Sequence, residues 1–416
     1  MAGCILRLYA VIYASYAYVN QNILYQSEME TYERPKNLSA WEWRKVLGCL
    51  ILTISFLPSC ATENTGGVED SISYGYELTE LFRLGDESTG DTILFGSIGE
   101  LVAVDGSGRI FIGEQQDPII YVLNTYGDLI KTIGREGSGP GDFQRLSSIH
   151  ISSTDTLYIH DSALGYLSVY EPERLELAYS IAVSYDDSLG KSYSFVGTLD
   201  TGYLFTYGRP IRAGSPSRER RMHVMLVTWA REIIHPPVHS ILAEDWLSDA
   251  DNEGRVYAIR MPFPIGRETV LRMGPKGNLF AGWTESISIA VVSPDGIQHN
   301  TVTHSLAPVP LTRQEIKLFA EEVSDGFFDW TYDVILAADL PATKPAFETF
   351  VVDDLERLWI KTTLPSVADT ARWLILDQKS QLKGDIRLPK HTNLRVIRHG
   401  RAYAVDDGAE NHLGMF

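Results

Sequence analysis

The 416-residue chain has 44% hydrophobic residues, 11% aromatic residues and 34 glycines, enough for a packed core with many tight turns. Its formal net charge of -18 repels nucleic-acid phosphates and anionic membrane surfaces, and the densest basic run, Arg218 to Arg221, is too short to reverse that; no nucleic-acid partner is expected. Cys4, Cys49 and Cys60 all lie in the first 60 residues, which leaves the remainder without disulfides, thiolate zinc sites or a cysteine nucleophile.

Residues 1–45 read as an N-terminal extension and n-region, with Met1 and Met29 both possible starts. Residues 46–60 carry an apolar run of 12 residues, Val46 to Leu57, which follows Arg44-Lys45 and ends in Leu57-Pro58-Ser59-Cys60. At 1.5 Å rise per residue such a run covers about 18 Å, short of a bilayer core of about 30 Å. A positive flank, a short apolar segment and small residues before the cut describe a secretory signal. The Leu-x-Ser-Cys ending resembles a bacterial lipoprotein box, which implies lipidation of Cys60. Ala61 in place of aspartate resembles the outer-membrane sorting pattern. Residues 61–73 read as a polar tether and 74–416 as the folded body. The expected location is the cell envelope, as an outer-membrane lipoprotein facing periplasm or surface, touching membrane only through its anchor.

In the body one register recurs: an apolar lead-in, a turn with Gly or Asp, then a short strand rich in aromatic and β-branched residues. It reads VDGSGRIFI from Val104, ISSTDTLYI from Ile151 and TLDTGYLFT from Thr198, starts that lie 47 residues apart. It returns at Met273, Val352 and Val396. A second hairpin follows it at Ile119–Ile133, Tyr166–Ile181, Ile287–Val302 and Ala371–Leu388. Four short strands per unit predict a propeller blade, and six registers predict six blades. The last unit is one strand short, so Tyr76–Leu84 is expected to supply it and close the ring with strands from both termini. The fold class is all-β.

Gly134 to Phe143, GREGSGPGDF, looks like the inter-blade turn of NHL-type repeats, and Tyr158-Ile159-His160-Asp161 with Leu167-Ser168-Val169-Tyr170 looks like the strand pair after it. The body is thus similar to six-bladed β-propeller lipoproteins with NHL-like repeats. That resemblance implies a disc that docks proteins or ligands.

Two units are stretched, between Tyr207 and Glu268 and between Ala307 and Phe347. In the second, Thr312-Arg313-Gln314-Glu315 forms a capping box and the apolar spacing that follows predicts a surface helix near 312–323. Trp229, Trp246, Trp283, Phe328 and Trp330 lie in or near these stretches and are the candidate binding residues for a protein, peptide or glycan. No cofactor is predicted by the leading reading, a non-catalytic docking module. The alternative resembles calcium- or zinc-dependent lactonases and lyases, which gather ligands in the central channel; its weak candidates are His150, His160 and Asp161, whose spacing is not diagnostic of a metal site. No nucleophile elbow is present, and Gly134 to Gly141 lacks the Gly-Lys-Ser/Thr ending of a phosphate loop.

Overall fold

The computed structural model describes residues 76, 78–85, 93–183, 192–208, 221–235, 237–250, 256–326, 330–407 and 411–415. Among them, strands form six four-stranded antiparallel sheets and one separate hairpin. Blade 1 holds β2 (Val102–Val104), β3 (Ile110–Glu114), β4 (Ile119–Leu123) and β5 (Leu129–Ile133); blade 2 holds β6 (Leu146–Ile151), β7 (Leu157–Asp161), β8 (Tyr166–Tyr170) and β9 (Leu177–Ala182). Blade 3 holds β10 (Ser192–Leu199), β11 (Gly202–Gly208), β12 (Arg221–Thr228) and β13 (His239–Leu242). The hairpin β14 (Trp246–Ala250) and β15 (Val256–Arg260) then precedes blade 4, made of β16 (Thr269–Met273), β17 (Leu279–Trp283), β18 (Ile287–Val292) and β19 (Gln298–His304). Two helices, α1 (Arg313–Gly326) and α2 (Trp330–Ala337), lead to blade 5: β20 (Phe347–Val352), β21 (Leu358–Thr362), β22 (Thr370–Leu376) and β23 (Leu382–Pro389).

Blade 6 is β24 (Thr392–Arg398), β25 (Arg401–Asp407) and β26 (Asn411–Met415), completed by β1 (Phe82–Leu84) from the other end of the body. Phe82 pairs with Met415 and Leu84 with Leu413, so the chain ends share one sheet as the short last unit requires. The first strands contact one another in the cycle β2, β6, β10, β16, β20, β24 and back to β2, which closes a ring around a central channel. The apolar clusters lie between blades: Phe111 and Ile120 pack on Phe143 and Leu157, and Ile287 and Ile289 on Phe350 and Ile360. Each sheet buries both faces against its neighbours, and all three residues of β2 are buried. Burial of that kind, at about 25 cal/mol per Å² of apolar surface, is what a single blade lacks.

The recurring turn has a local cause. Asp105 accepts hydrogen bonds from the backbone N–H of Ser107 (3.0 Å) and Arg109 (2.8 Å) and pairs with the Arg109 guanidinium at 2.5 Å. Asp353 does the same with Leu355 (3.0 Å), Arg357 (2.8 Å) and the Arg357 guanidinium (2.6 Å). The fourth turn residue must be left-handed: Gly108 (φ 85°), Asp155 (φ 59°), Gly277 (φ 79°) and Glu356 (φ 58°). The two non-glycine residues there are tied to the preceding blade. Asp155 accepts from Gly106 N–H at 2.7 Å, and Glu356 from Asn278 Nδ2 at 2.9 Å.

Gly134 to Phe143 does form the loop between blades 1 and 2. Its Phe143 is wholly buried, and a Cβ on Gly134 (φ 81°) would sit 2.2 Å from the Phe143 ring, so only glycine fits. The capping box also forms: Thr312 N–H donates to Glu315 Oε2 at 2.9 Å, and Glu315 N–H to Thr312 Oγ1 at 3.3 Å. One expectation needs correction, because the stretch carries a second helix, α2. Its sequence WTYDVILA is apolar on most sides and shows no 3.6-residue stripe to read. The insertions pack on each other: Leu247 of the hairpin joins Met261, Ile265, Leu311, Ile316, Phe319 and Leu340 in one small core.

Candidate functional site

Define the upper face as the one where the first strand of each blade begins. Antiparallel order then puts turns between first and second, and between third and fourth, strands on the lower face, while both insertions leave from the upper face. This separates the candidate aromatics. Trp246 opens β14 and donates its indole N–H to Glu244 at 2.8 Å; Trp283 ends β17 and donates to Glu285 at 3.3 Å; both are half-buried on the upper side. Trp330 begins α2, and Phe328 and Cys60 lie outside the described residues.

Trp229 sits on the lower face, in the turn after β12. Its indole N–H donates to the Asp200 carbonyl at 2.7 Å, which fixes the ring edge-on to Tyr203 with centroids 4.6 Å apart and planes at 77°. Tyr179 of blade 2 stands beside them with its hydroxyl 3.3 Å from that of Tyr203. Tyr179, Ile181, Tyr203, Trp229 and Arg231 line a groove of about 420 Å³ between blades 2 and 3. Trp229 and Tyr179 are each 45% exposed, whereas Tyr203 is buried beneath them. Burial, then the Tyr179 hydrogen bond, pushes the Tyr203 phenol well above the usual tyrosine range, so it stays protonated and polar but uncharged. Arg231, exposed at the groove, makes no ion pair among the described residues.

The channel holds a different chemistry. Arg272 of β16 donates to both carboxylate oxygens of Glu100 at 3.0 and 3.1 Å and to Thr349 Oγ1 at 3.2 Å. Arg395 of β24 approaches the same carboxylate at 3.8 Å. The Arg272 guanidinium holds the Glu100 carboxyl below the usual range, and Arg395 adds to the effect. Arg395 is the extra residue of a β-bulge in β24, and Glu348 that of a bulge in β20. Glu348 pairs with Lys361 at 2.9 Å, and Lys361 donates to Asn393 of blade 6 at 2.5 Å. Bulges re-aim side chains that regular alternation would send into the inter-blade core. Sequence reading missed this cluster: Glu100, Arg272 and Arg395 are far apart in the chain, and only the closed ring brings them together.

The metal candidates are all engaged in the scaffold. Asp161 accepts from four backbone N–H groups, of Gln144 (2.6 Å), Arg145 (2.9 Å), Ala163 (2.9 Å) and Leu164 (2.8 Å). Glu114 does the equivalent in blade 1 for Gly96 (2.7 Å), Ser97 (2.9 Å) and Gln116 (2.8 Å). Each carboxylate thus clamps the loop entering its own blade. His160 Nδ1 lies 2.7 Å from Ser147 Oγ, and His150 Nε2 lies 3.3 Å from Thr198 Oγ1. Burial brings both imidazoles down to about 4. No three His, Cys, Asp or Glu residues converge on a metal-sized space among the described residues, and no helix there is long and apolar enough to cross a membrane.

Comparison with known proteins places the fold. No curated protein matches the chain. Among solved structures, a candidate exported protein from Bacteroides fragilis is 14% identical with a TM-score of 0.45, over 78% of this chain and 91% of that one. A member of the DUF4221 family from Bacteroides vulgatus is 9% identical with a TM-score of 0.46, over 82% and 96% of the two chains. Virginiamycin B lyase from Staphylococcus aureus is 9% identical with a TM-score of 0.38, over 76% and 92%. Residues 87–232 match the family DUF5128, described as a 6-bladed beta-propeller, and with its six four-stranded sheets closed into one ring the chain is a six-bladed β-propeller.

Proposed function

We propose that this propeller is a lipid-anchored, non-catalytic docking module of the bacterial envelope. Cys60 carries the anchor, and the groove at Trp229 receives a protein, peptide or glycan. The observation that carries the reading is the groove itself: Trp229 and Tyr179 stay 45% exposed although the ring has deep inter-blade cores in which to hide them. Large aromatic rings held rigid at a surface are the usual anchors of a binding patch. The short apolar run before Cys60 supports export and an outer-membrane location facing periplasm or surface. The alternative, a calcium- or zinc-dependent hydrolase or lyase in the channel, draws little support from His150, His160 and Asp161. The Asp161 carboxylate is taken up by backbone N–H groups, His160 Nδ1 and His150 Nε2 face hydroxyls, and the buried His160 Nε2 has no second metal-ligating group beside it among the described residues.

The test compares the full chain with Cys60→Ala and with the double variant Trp229→Ala/Arg231→Ala. Cys60→Ala should move the protein from the membrane to the soluble fraction. The full chain should capture an envelope component that the double variant does not. Capture that survives in the double variant, or no capture by either, defeats the groove as the docking surface.

A further inference from the structure

The docking reading leaves the class of ligand open, and the groove narrows it. We infer that it binds an acidic saccharide. Three features converge. First, the Trp229 indole is held at a fixed angle by its bond to the Asp200 carbonyl, so one face is presented with no rotamer to freeze on binding. A flat, rigid indole fits the C–H face of a pyranose ring. Second, the walls are polar aromatics. The Tyr179 and Tyr203 hydroxyls, 3.3 Å apart, form a paired donor and acceptor set of the spacing that vicinal sugar hydroxyls address. An apolar peptide anchor would leave the one O–H that this pair does not use, and its free lone pairs, unmet in a desolvated contact.

Third, the charge is of one sign. Arg231 carries its guanidinium at the groove without an ion pair among the described residues, in a chain whose formal net charge is -18. Among the described residues no acidic side chain lines the groove. A carboxylate or sulfate on the sugar satisfies the guanidinium fork with two parallel hydrogen bonds. The groove of about 420 Å³ suits two sugar units rather than a folded domain. This inference rests on the docking reading and adds the ligand class to it.

Binding by the full chain is read from Trp fluorescence and calorimetry with three probes: a galacturonate tetramer for carboxylate, a sulfated chondroitin tetramer for sulfate, and a neutral galactose tetramer. At least one acidic probe should bind at least tenfold more tightly than the neutral one. Arg231→Gln should erase that preference, while Trp229→Ala should abolish binding of all three. Trp229→Phe keeps an aromatic platform, should retain measurable affinity, and separates a lost platform from a disturbed turn. Equal affinity for acidic and neutral probes, or an Arg231→Gln protein that keeps the preference, overturns the inference. Should no saccharide bind while capture of an envelope component still depends on Trp229 and Arg231, the saccharide assignment falls and the docking reading stands.

Discussion

Glu100 of blade 1 and Arg272 of blade 4 form an ion pair across the ring, with guanidinium to carboxylate distances of 3.0 and 3.1 Å. In a ring of six, those blades are diametrically opposed, so the pair spans the channel and joins elements that share no sheet. Arg395 at 3.8 Å extends it to blade 6. Two arginines around one carboxylate make Glu100 the group whose loss is felt most, since the remaining charges repel.

Glu100→Gln should therefore destabilise the ring more than Arg395→Gln does. A double-mutant cycle of Glu100→Gln with Arg272→Gln should give a coupling of about 1 kcal/mol, the upper end for partly exposed pairs. The Glu100 side chain is 60% exposed to channel water, so the coupling should shrink in 1 M salt without vanishing. Zero coupling in urea titrations at low salt would show that the pair is a bystander to ring closure.

Protonation of His150 and His160 should unfold the protein on the acid side. Burial brings both to about 4 in the folded state, against about 6.5 in the unfolded chain. Between these values the unfolded state binds protons that the folded state does not. Their stabilising contribution is full above about pH 6.5 and is lost as pH falls toward 4. The urea midpoint should decline from pH 6.5 to 5, a window above most carboxylates, and His160→Asn should flatten that decline. Imidazole NMR signals of the folded protein that titrate near pH 6.5 for these two residues would contradict the account.

Much of this fold is legible along the chain, because turn chemistry is local. Asp105 and Asp353 announce their hairpins through residues two and four places on, and the 47-residue spacing reflects one blade after another. Strand sharing between the chain ends is legible too, as a unit one strand short. What is not legible depends on ring closure. Glu100, Arg272 and Arg395 meet only when opposite blades face each other, and Arg395 points inward only because a bulge shifts its register. Trp229 is readable as a candidate, but its partners Tyr179 and Tyr203 belong to positions that look like ordinary strand residues. Asp161 shows the converse: a residue type suited to metals whose four N–H partners come from the loop entering its blade and from the turn between β7 and β8.

The capping box of α1 does more than start a helix. Glu315 also pairs with Lys344 at 2.5 Å, and the Lys344 side chain is almost wholly buried and bonded to Ser366 at 2.6 Å. Burial pushes the Glu315 carboxyl up, but hydrogen bonds from Lys344, Ser366 and Thr312 outweigh it and bring it down to about 2. A depressed carboxyl contributes stability that is full above its unfolded value of about 4.5 and lost as pH falls toward 2. Glu315→Gln leaves Lys344 buried without its counter-charge and should destabilise by about 3 kcal/mol. Lys344→Met at the same site should be milder, because it removes the buried charge as well. Equal losses in chemical denaturation would mean that the pair acts only through the helix cap.

Asp155 offers the sharpest test of how the blades are joined. It holds a left-handed conformation at φ 59°, where a residue with a Cβ is disfavoured by roughly 1 kcal/mol relative to glycine. In return its carboxylate accepts from Gly106 N–H at 2.7 Å, linking the lower-face turns of blades 2 and 1. Asp155→Ala keeps the strain and loses the link, whereas Asp155→Gly loses both. The two variants should differ by about 1 kcal/mol, with Asp155→Ala the less stable, and the native aspartate should exceed Asp155→Gly only if the inter-blade bond outweighs the backbone strain. Differential hydrogen exchange at Gly106 then identifies the cause: its amide should exchange faster in both variants by a similar factor. An Asp155→Ala protein as stable as wild type, with Gly106 still protected, would show that this turn-to-turn bond adds nothing to the joint between blades 1 and 2.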